Sequence, residues 1–300
     1  MVQFHRVTIA DKPFVDGFVR SEDSRSADFN FGNIYLWDPA YFQELSSVDG
    51  RLLTRLKYED LPFFAFPIGS GDVKPAVEAM EEYAARAGIQ LRLRGVTDEH
   101  RELLEAAYPG RFEFEEDRDC FDYIYLAEKL ASFSGKKLHG KRNFCNRFEK
   151  EHSWEFRRLT RELFPTCMEM LGFWQREFDE PPDGLEEEHG AIIRALMRWE
   201  ALGLEGGVLF ADGMCVGFTV GEKISSDTFD VHFEKAYASV PGAYPMVCRE
   251  FSKQILADHP EIVYLNREDD MGHENLRSAK LEYRPEFLLR KYTARVKCDA

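Results

Sequence analysis

An α/β fold built from two domains of the same design is what this sequence predicts, and three observations carry the prediction. The chain has 300 residues, and at roughly 100–200 residues per domain that length favours two cores over one. Apolar residues make up 44% and aromatic residues 14%, with 25 Phe, enough for packed cores and aromatic-lined clefts. Strand-like and helix-like stretches alternate, and the order found in the second half is met again, abbreviated, in the first.

The second half starts with a strand, Trp154–Thr160, and an amphipathic helix over Glu162–Phe178, where Leu163, Cys167, Met170, Leu171 and Trp174 keep helical spacing. Pro181-Pro182-Asp183-Gly184 reads as a loop, and a second helix over Glu187–Leu202 turns Ile192, Ile193, Leu196 and Trp199 inward. Val208–Phe210 and Cys215–Val220 form a hairpin around Asp212-Gly213. The strand Phe229–Glu234 alternates strictly. A loop with Pro241-Gly242-Ala243 then enters a helix, Tyr244–Ala257, with Val247, Phe251 and Ile255 on one face. Ile262–Leu265 is a strand, Leu276 and Ala279 mark a short helix, and Phe287–Tyr292 ends the sheet.

The first half repeats this order. Phe4–Thr8 is a strand, and a helix starts at Asp11-Lys12-Pro13, with proline in its first turn. Asp49-Gly50 turns a hairpin, and the apolar run Phe63–Ile68 reaches Gly69-Ser70-Gly71. A helix presents Val73, Val77, Met80 and Ala84, and Gly88 suits its end. Ile89, Leu91 and Leu93 alternate as a strand, and a helix near Leu103–Ala107 precedes strands at Phe112–Phe114 and Tyr123–Leu126. The alternative is two unrelated α+β domains that share only their turns. Domains are expected at 1–133 and 151–300, joined by a segment, 134–150, that carries the one strongly basic stretch of the chain.

Net charge is −15, which excludes a general nucleic-acid coat, because phosphate binding needs dense positive charge. Six Cys lie far apart with no CxxC pair, so reduced thiols are expected rather than a disulfide framework or a zinc cluster. No apolar run approaches the ~18 residues that span a bilayer. A cytoplasmic protein with no integral membrane contact is the expectation.

Four constellations carry chemistry. Pro241-Gly242-Ala243 before a helix either offers free N–H groups and a positive dipole end to an anion or is an ordinary strand-to-helix turn. Asp230, His232 and Glu234 alternate on one side of a strand, where they either hold an amine and accept its proton or form a half-solvated sheet face. Asn266-Arg267-Glu268-Asp269-Asp270 follows a buried-looking strand. There Arg267 can grip a phosphate or carboxylate, Asn266 can donate to a carbonyl oxygen, and the acids can hold a cation; otherwise the loop caps the next helix. In the basic segment, Lys136, Lys137, Lys141, Arg142 and Arg147 either contact phosphates over Phe144 and Phe148 or solvate an inter-domain helix. No GxSxG elbow is present, and neither His189 nor His273 has metal-ligand spacing, so no metal is expected.

The element order resembles the GNAT superfamily of N-acyltransferases, and two such units in tandem resemble the aminoacyl transferases that build peptidoglycan bridges. More specifically, the chain resembles the family named for the phosphatidylglycerol lysyltransferase C-terminal domain, in a short stand-alone form. The residues that carry this are Gly140-Lys141-Arg142-Asn143 with Asn146-Arg147-Phe148, His232-Phe233-Glu234-Lys235-Ala236, Pro241-Gly242-Ala243-Tyr244-Pro245, and Tyr264 to Gly272. Leu276-Arg277-Ser278-Ala279-Lys280-Leu281, Tyr283-Arg284-Pro285 and Tyr292-Thr293 complete the match, with Asn30–Trp37 a weaker one.

The resemblance implies two tandem GNAT-like domains with mixed central sheets and Glu234 as general base where two strands splay, with Asn266 and Arg267 beside it. It implies an acyl-donor loop at Pro241, Gly242, Ala243 and Tyr244. Only Gly242-Ala243 keeps the glycine-rich signature of the superfamily's pyrophosphate loop, and Pro241 removes a donor. His232, Lys235, Glu268, Asp270 and Lys280 are implied substrate contacts. The implied reaction is aminoacyl transfer from an aminoacyl-tRNA to an amine or hydroxyl acceptor, a small molecule or a lipid headgroup. The alternatives are an acyl-CoA-dependent N-acyltransferase and a catalytically silent module that binds an acidic or cationic ligand.

Overall fold

The computed structural model describes residues 2–58, 61–177 and 184–297. In chain order its elements are β1 (His5–Arg6), α1 (Lys12–Glu22), α2 (Phe31–Leu36), α3 (Asp38–Tyr41), β2 (Glu44–Val48), β3 (Arg51–Tyr58), β4 (Leu61–Ala65), α4 (Val73–Ala87), β5 (Arg92–Val96), α5 (Asp98–Ala107) and β6 (Phe112–Glu116). There follow β7 (Asp122–Leu126), α6 (Ala127–Ser132), α7 (His139–Glu151), β8 (Trp154–Arg158), α8 (Phe164–Trp174), α9 (Leu185–Met197), α10 (Trp199–Leu202), β9 (Glu205–Ala211), β10 (Met214–Lys223) and β11 (Thr228–Ala236). The chain ends with α11 (Ala243–Asp258), β12 (Tyr264–Asn266), α12 (Glu274–Glu282), β13 (Phe287–Leu289) and β14 (Tyr292–Val296). The expected loop at Pro181-Pro182-Asp183 and the expected helix end at Phe178 lie outside the described residues.

There are two mixed seven-stranded sheets, ordered β1-β2-β3-β4-β5-β14-β6 and β8-β9-β10-β11-β12-β7-β13. The orders correspond place for place, and the parallel pairs β4–β5 and β11–β12 fall at equivalent positions. The predicted duplication is therefore present. One feature departs from the expectation: the sixth place in each sheet is filled from the other half of the chain. Tyr123–Leu126 is not the last strand of the first sheet but belongs to the second. Phe287–Tyr292 is not one strand but the start of two, which pair in different sheets.

The compact units are accordingly discontinuous. One comprises Met1–Asp122, Asp269–His273 and Leu288–Ala300, the other Tyr123–Glu268 and Glu274–Phe287. This replaces cuts at 133/134 and 150/151. Residues 134–150 are part of the second unit, where Cys145 and Phe148 of α7 are fully buried.

The local rules hold in most places. Both Asp-Gly hairpins have two consecutive residues at positive φ, Asp49 and Gly50 (45° and 78°) and Asp212 and Gly213 (53° and 83°), as a tight two-residue turn requires. Val73, Val77, Met80 and Ala84 are buried along α4, which Gly88 ends at φ 67°. On the predicted second helix of the second half, Ile193 points outward at 37% exposure, and the buried face is Ala191, Ile192, Ala195 and Leu196. Among the described residues no helix is long and apolar enough to cross a membrane. Cys120, Cys145, Cys167, Cys215 and Cys248 are free thiols.

Candidate active site

The site begins where two strands part. Parallel pairing of β11 with β12 runs from Thr228–Tyr264 to Asp230–Asn266 and stops, because β12 ends at Asn266 while β11 continues to Ala236. Asn266 produces the turn. It is wholly buried, its Oδ1 accepts the Glu268 N–H at 2.7 Å, and Glu268 takes φ 54°. This bond uses the Asn266 side-chain oxygen, whereas the expected role as donor to a substrate carbonyl would use its amide nitrogen.

Glu234 and Arg267 meet across the gap. Arg267 Nη2 donates to Glu234 Oε1 at 2.7 Å, and the guanidinium lies over the rings of Tyr283 and Tyr125, 4.6 Å and 5.7 Å from their centres. Lys280 braces the turn: its Nζ donates to the Arg267 carbonyl at 2.6 Å, and its own carbonyl accepts from Tyr125 Oη at 2.8 Å. The side chains of Glu234 and Arg267 are only 8% and 12% exposed.

The chemistry follows from burial. Burial raises the Glu234 carboxyl above its ordinary value, with Arg267 pulling the other way. Burial alone would lower Arg267, but Glu234 outweighs it and holds the guanidinium in its charged form. Arg267 Nη1 is buried without a hydrogen-bond partner, a donor that a carbonyl or carboxylate would satisfy. A carboxylate made a better proton acceptor stands beside a fixed cation with an N–H to spare.

The strict alternation expected of Asp230, His232 and Glu234 fails at a β-bulge. Against β10, Phe233 pairs with Val220 but Val231 pairs with Gly221, which leaves His232 as an extra residue and reverses the faces beyond it. Phe229 packs on Phe251 of α11, and after the bulge it is Ala236 that turns towards Val247 of α11. Glu234 is thereby carried to the face opposite Asp230.

His232 instead joins Asp230 in a buried cluster. Its Nδ1 is 3.0 Å from Glu268 Oε1 and 3.4 Å from Asp230 Oδ2, and its Nε2 is 3.1 Å from Glu222 Oε1. Burial would depress the imidazole, but the three carboxylates outweigh it and hold His232 well above its ordinary value as an imidazolium. Asp230, His232 and Glu268 also form a donor set whose ligand atoms lie within 4.8 Å of one another, so they are the residues that would hold a divalent cation if the imidazole lost its proton.

Lys235 lies apart from Glu234. It pairs with Glu188 at 2.7 Å and sits 4.3 Å over the Trp174 ring, whose Nε1 donates to Tyr244 Oη at 3.2 Å. Asp270 is fully buried in the other unit, where it accepts from the Gly272 N–H and pairs with Arg118 at 3.2 Å. It anchors that loop.

The loop Pro241-Gly242-Ala243 is a poor phosphate cradle. Gly242 has φ 95°, and a Cβ there would lie 2.8 Å from the Phe144 carbonyl of α7, so its glycine is needed for helix packing. Pro241 and Pro245 have no N–H, Ala243 N donates to Val240 and Met246 N to Gly242, which leaves Tyr244 in the first turn of α11. Of the basic residues, Lys141 is committed to Glu282 (2.7 Å) and the Tyr283 ring (4.2 Å), and Arg142 to the Phe133 carbonyl (2.6 Å). Lys136 and Lys137 are exposed, as is Arg147, which makes an i,i+4 pair with Glu151.

Sequence reasoning missed Tyr125, Tyr283, Glu222, Glu188 and Trp174 as walls of these sites. Glu222 faces Asp230 only through the register of β10 on β11, and Tyr125 arrives on the exchanged strand.

A family model described as phosphatidylglycerol lysyltransferase, C-terminal, matches residues 20–295. A crystal structure of a conserved protein of unknown function from Bacteroides thetaiotaomicron is 37% identical, covering 99% of this chain and 100% of that one at a TM-score of 0.94. The C-terminal domain of a lysylphosphatidylglycerol synthetase from Agrobacterium fabrum has the same fold at 13% identity and TM-score 0.66, covering 97% and 93%. So does a tandem GNAT protein from clavulanic acid biosynthesis, at 10% identity and TM-score 0.54 over the full length of both. The chain spans 56% of the length of its curated relative, an uncharacterised protein of Mycoplasmoides gallisepticum that is 26% identical over 183 residues, 59% of this chain. The fold is a tandem GNAT-like acyltransferase fold, and the chain belongs to the phosphatidylglycerol lysyltransferase C-terminal family.

Proposed function

We propose that the second unit transfers an aminoacyl group from an aminoacyl-tRNA to an amine or hydroxyl acceptor, with Glu234 as general base and Arg267 as the group that orients the acyl carbonyl. The observation that carries this reading is the Glu234–Arg267 pair, buried where β11 and β12 part, with its spare Arg267 N–H. The acceptor nitrogen or oxygen attacks the ester carbonyl carbon and its proton passes to Glu234. The ester C–O bond to the terminal ribose then breaks, and the ribose oxygen leaves with the proton from Glu234. Arg267 Nη1 stabilises negative charge as it grows on the carbonyl oxygen.

The choice of donor is supported by two features. The backbone of α7 crowds Gly242 where an acyl-CoA pyrophosphate would need bare N–H groups. Exposed Lys136, Lys137 and Arg147 offer phosphate contacts in a chain of net charge −15. An acyl-CoA donor is the reading to beat. Binding is tested with charged and uncharged tRNA at low salt and by thermal shift with acetyl-CoA, in which a ligand at 100 Kd stabilises by about 2.7 kcal/mol. Retention of charged tRNA without a shift from acetyl-CoA is the expected outcome; stabilisation by acetyl-CoA with no tRNA binding overturns the donor.

A further inference from the structure

The first unit has a cavity of its own, about 280 Å³, on the sheet face formed by β4, β5, β14 and β6. Three guanidiniums line it, Arg92, Arg94 and Arg295. Arg94 is fixed by Asp117 at 2.8 Å and by the Phe63 ring, 5.0 Å from its carbon. Arg295 Nη2 pairs with Glu115 at 2.8 Å, but its Nε is buried with no hydrogen-bond partner. Arg92 makes no ion pair among the described residues. A buried guanidinium nitrogen with no partner, as at Arg295 Nε, is costly unless a ligand completes it, and the half-exposed Arg92 beside it on the neighbouring strand leaves a second cation for the same ligand.

The glycine loop of this unit is closed by the protein itself. The Glu22 carboxylate already accepts the Gly69 N–H at 2.6 Å, and Arg51 clasps the carbonyls of Pro67 and Gly71, each at 2.7 Å. A Cβ on Gly71 would lie 1.8 Å from the Asp49 carbonyl. The protein's own acid and hairpin thus satisfy this loop, and none of these residues lines the cavity, so the cavity's own side chains define its ligand.

We propose that this cavity binds a small carboxylate, its oxygens held by Arg92 and Arg295 Nε and its apolar body lying against Phe63. Three carboxylates also line the cavity. Glu115 and Asp117 neutralise Arg295 and Arg94, and Glu116 pairs with Arg290, which leaves Arg92 as the uncompensated cation among the described residues. So acidic a wall repels a second negative charge and favours a single planar carboxylate over a phosphate dianion. The site lies wholly within the first unit and stands whether or not the second transfers an aminoacyl group.

The test is calorimetric titration of the full chain at constant ionic strength with sodium phenylacetate, with phenylethanol as its uncharged counterpart and sodium phosphate as the second anion. Phenylacetate is expected to bind saturably, phenylethanol not at all, and phosphate at least tenfold more weakly. Arg92→Gln and Arg295→Gln, each checked for an unchanged unfolding midpoint, should weaken phenylacetate at least tenfold. Absence of saturable binding, phosphate binding as tightly as phenylacetate, or unaltered affinity in a folded Arg92→Gln protein would overturn the assignment.

Discussion

Glu234 and Arg267 divide the proposed chemistry by their protonation. Arg267 stays charged, while burial makes Glu234 a better base than a solvated carboxylate. Glu234→Gln is expected to lower turnover by about 10²–10⁴-fold, the range of a lost general base, and to lower the urea midpoint, because the buried Arg267 charge loses its partner. Since its acid form is favoured, activity should climb with pH through a midpoint above the ordinary ~4.3; a pH–rate profile checks this. His232 gives the opposite limb for stability. Its folded pKa is raised, so the stability it contributes is complete below about 6.5 and fades as pH rises through the folded value. Melting temperatures should show His232→Gln costing most in acid and progressively less towards alkaline buffer. That Glu234 and Arg267 lie beside each other was legible because both fall in motifs with a definite place on a strand and at its end. Asn266, Asp270 and Lys280 fall in the same motifs, yet the structure gives them to a turn, an anchor and a brace, because their roles depend on which backbone groups the folded chain leaves to be satisfied.

At the scale of elements, two local features decide where side chains go. The bulge at His232 separates Glu234 from Asp230, and it escaped periodicity reasoning because its extra residue is defined only against β10. Helix α7 packs on the Gly242 turn so closely that Gly242→Ala should destabilise the protein by roughly 1–3 kcal/mol, from positive φ and from contact with the Phe144 carbonyl; chemical denaturation reads this directly. The same helix illustrates how far composition reaches. A basic stretch was evident, but not that Lys141 and Arg142 turn inward to Glu282 and the Phe133 carbonyl. If tRNA binds here, replacing Lys136, Lys137 and Arg147 by Ala should reduce the slope of log K against log salt by about 2–3, near 0.7–0.9 per phosphate contact.

At the scale of the molecule, the duplicated order of elements was visible in turns and glycine loops, but the exchange of β7 and β14 was not, because strand partners far apart in sequence leave no periodic trace. The exchange has a consequence for the first unit. Its sheet needs β14 between β5 and β6, and Lys291 beside that strand is buried between Asp122 at 2.7 Å and Asp28 at 2.9 Å. Residues 1–133 expressed alone should therefore show no cooperative unfolding transition by circular dichroism, whereas the full chain should. The central claim concerns the other unit, where Glu234 and Arg267 face each other across the parted strands. It is tested most directly by single-turnover transfer from radiolabelled aminoacyl-tRNA to a small amine acceptor, with wild type and Glu234→Gln side by side. The account predicts a labelled amide product with wild type, formed at least 10²-fold more slowly by Glu234→Gln. Equal rates in the two proteins, or product formed only when acyl-CoA replaces the charged tRNA, would contradict it.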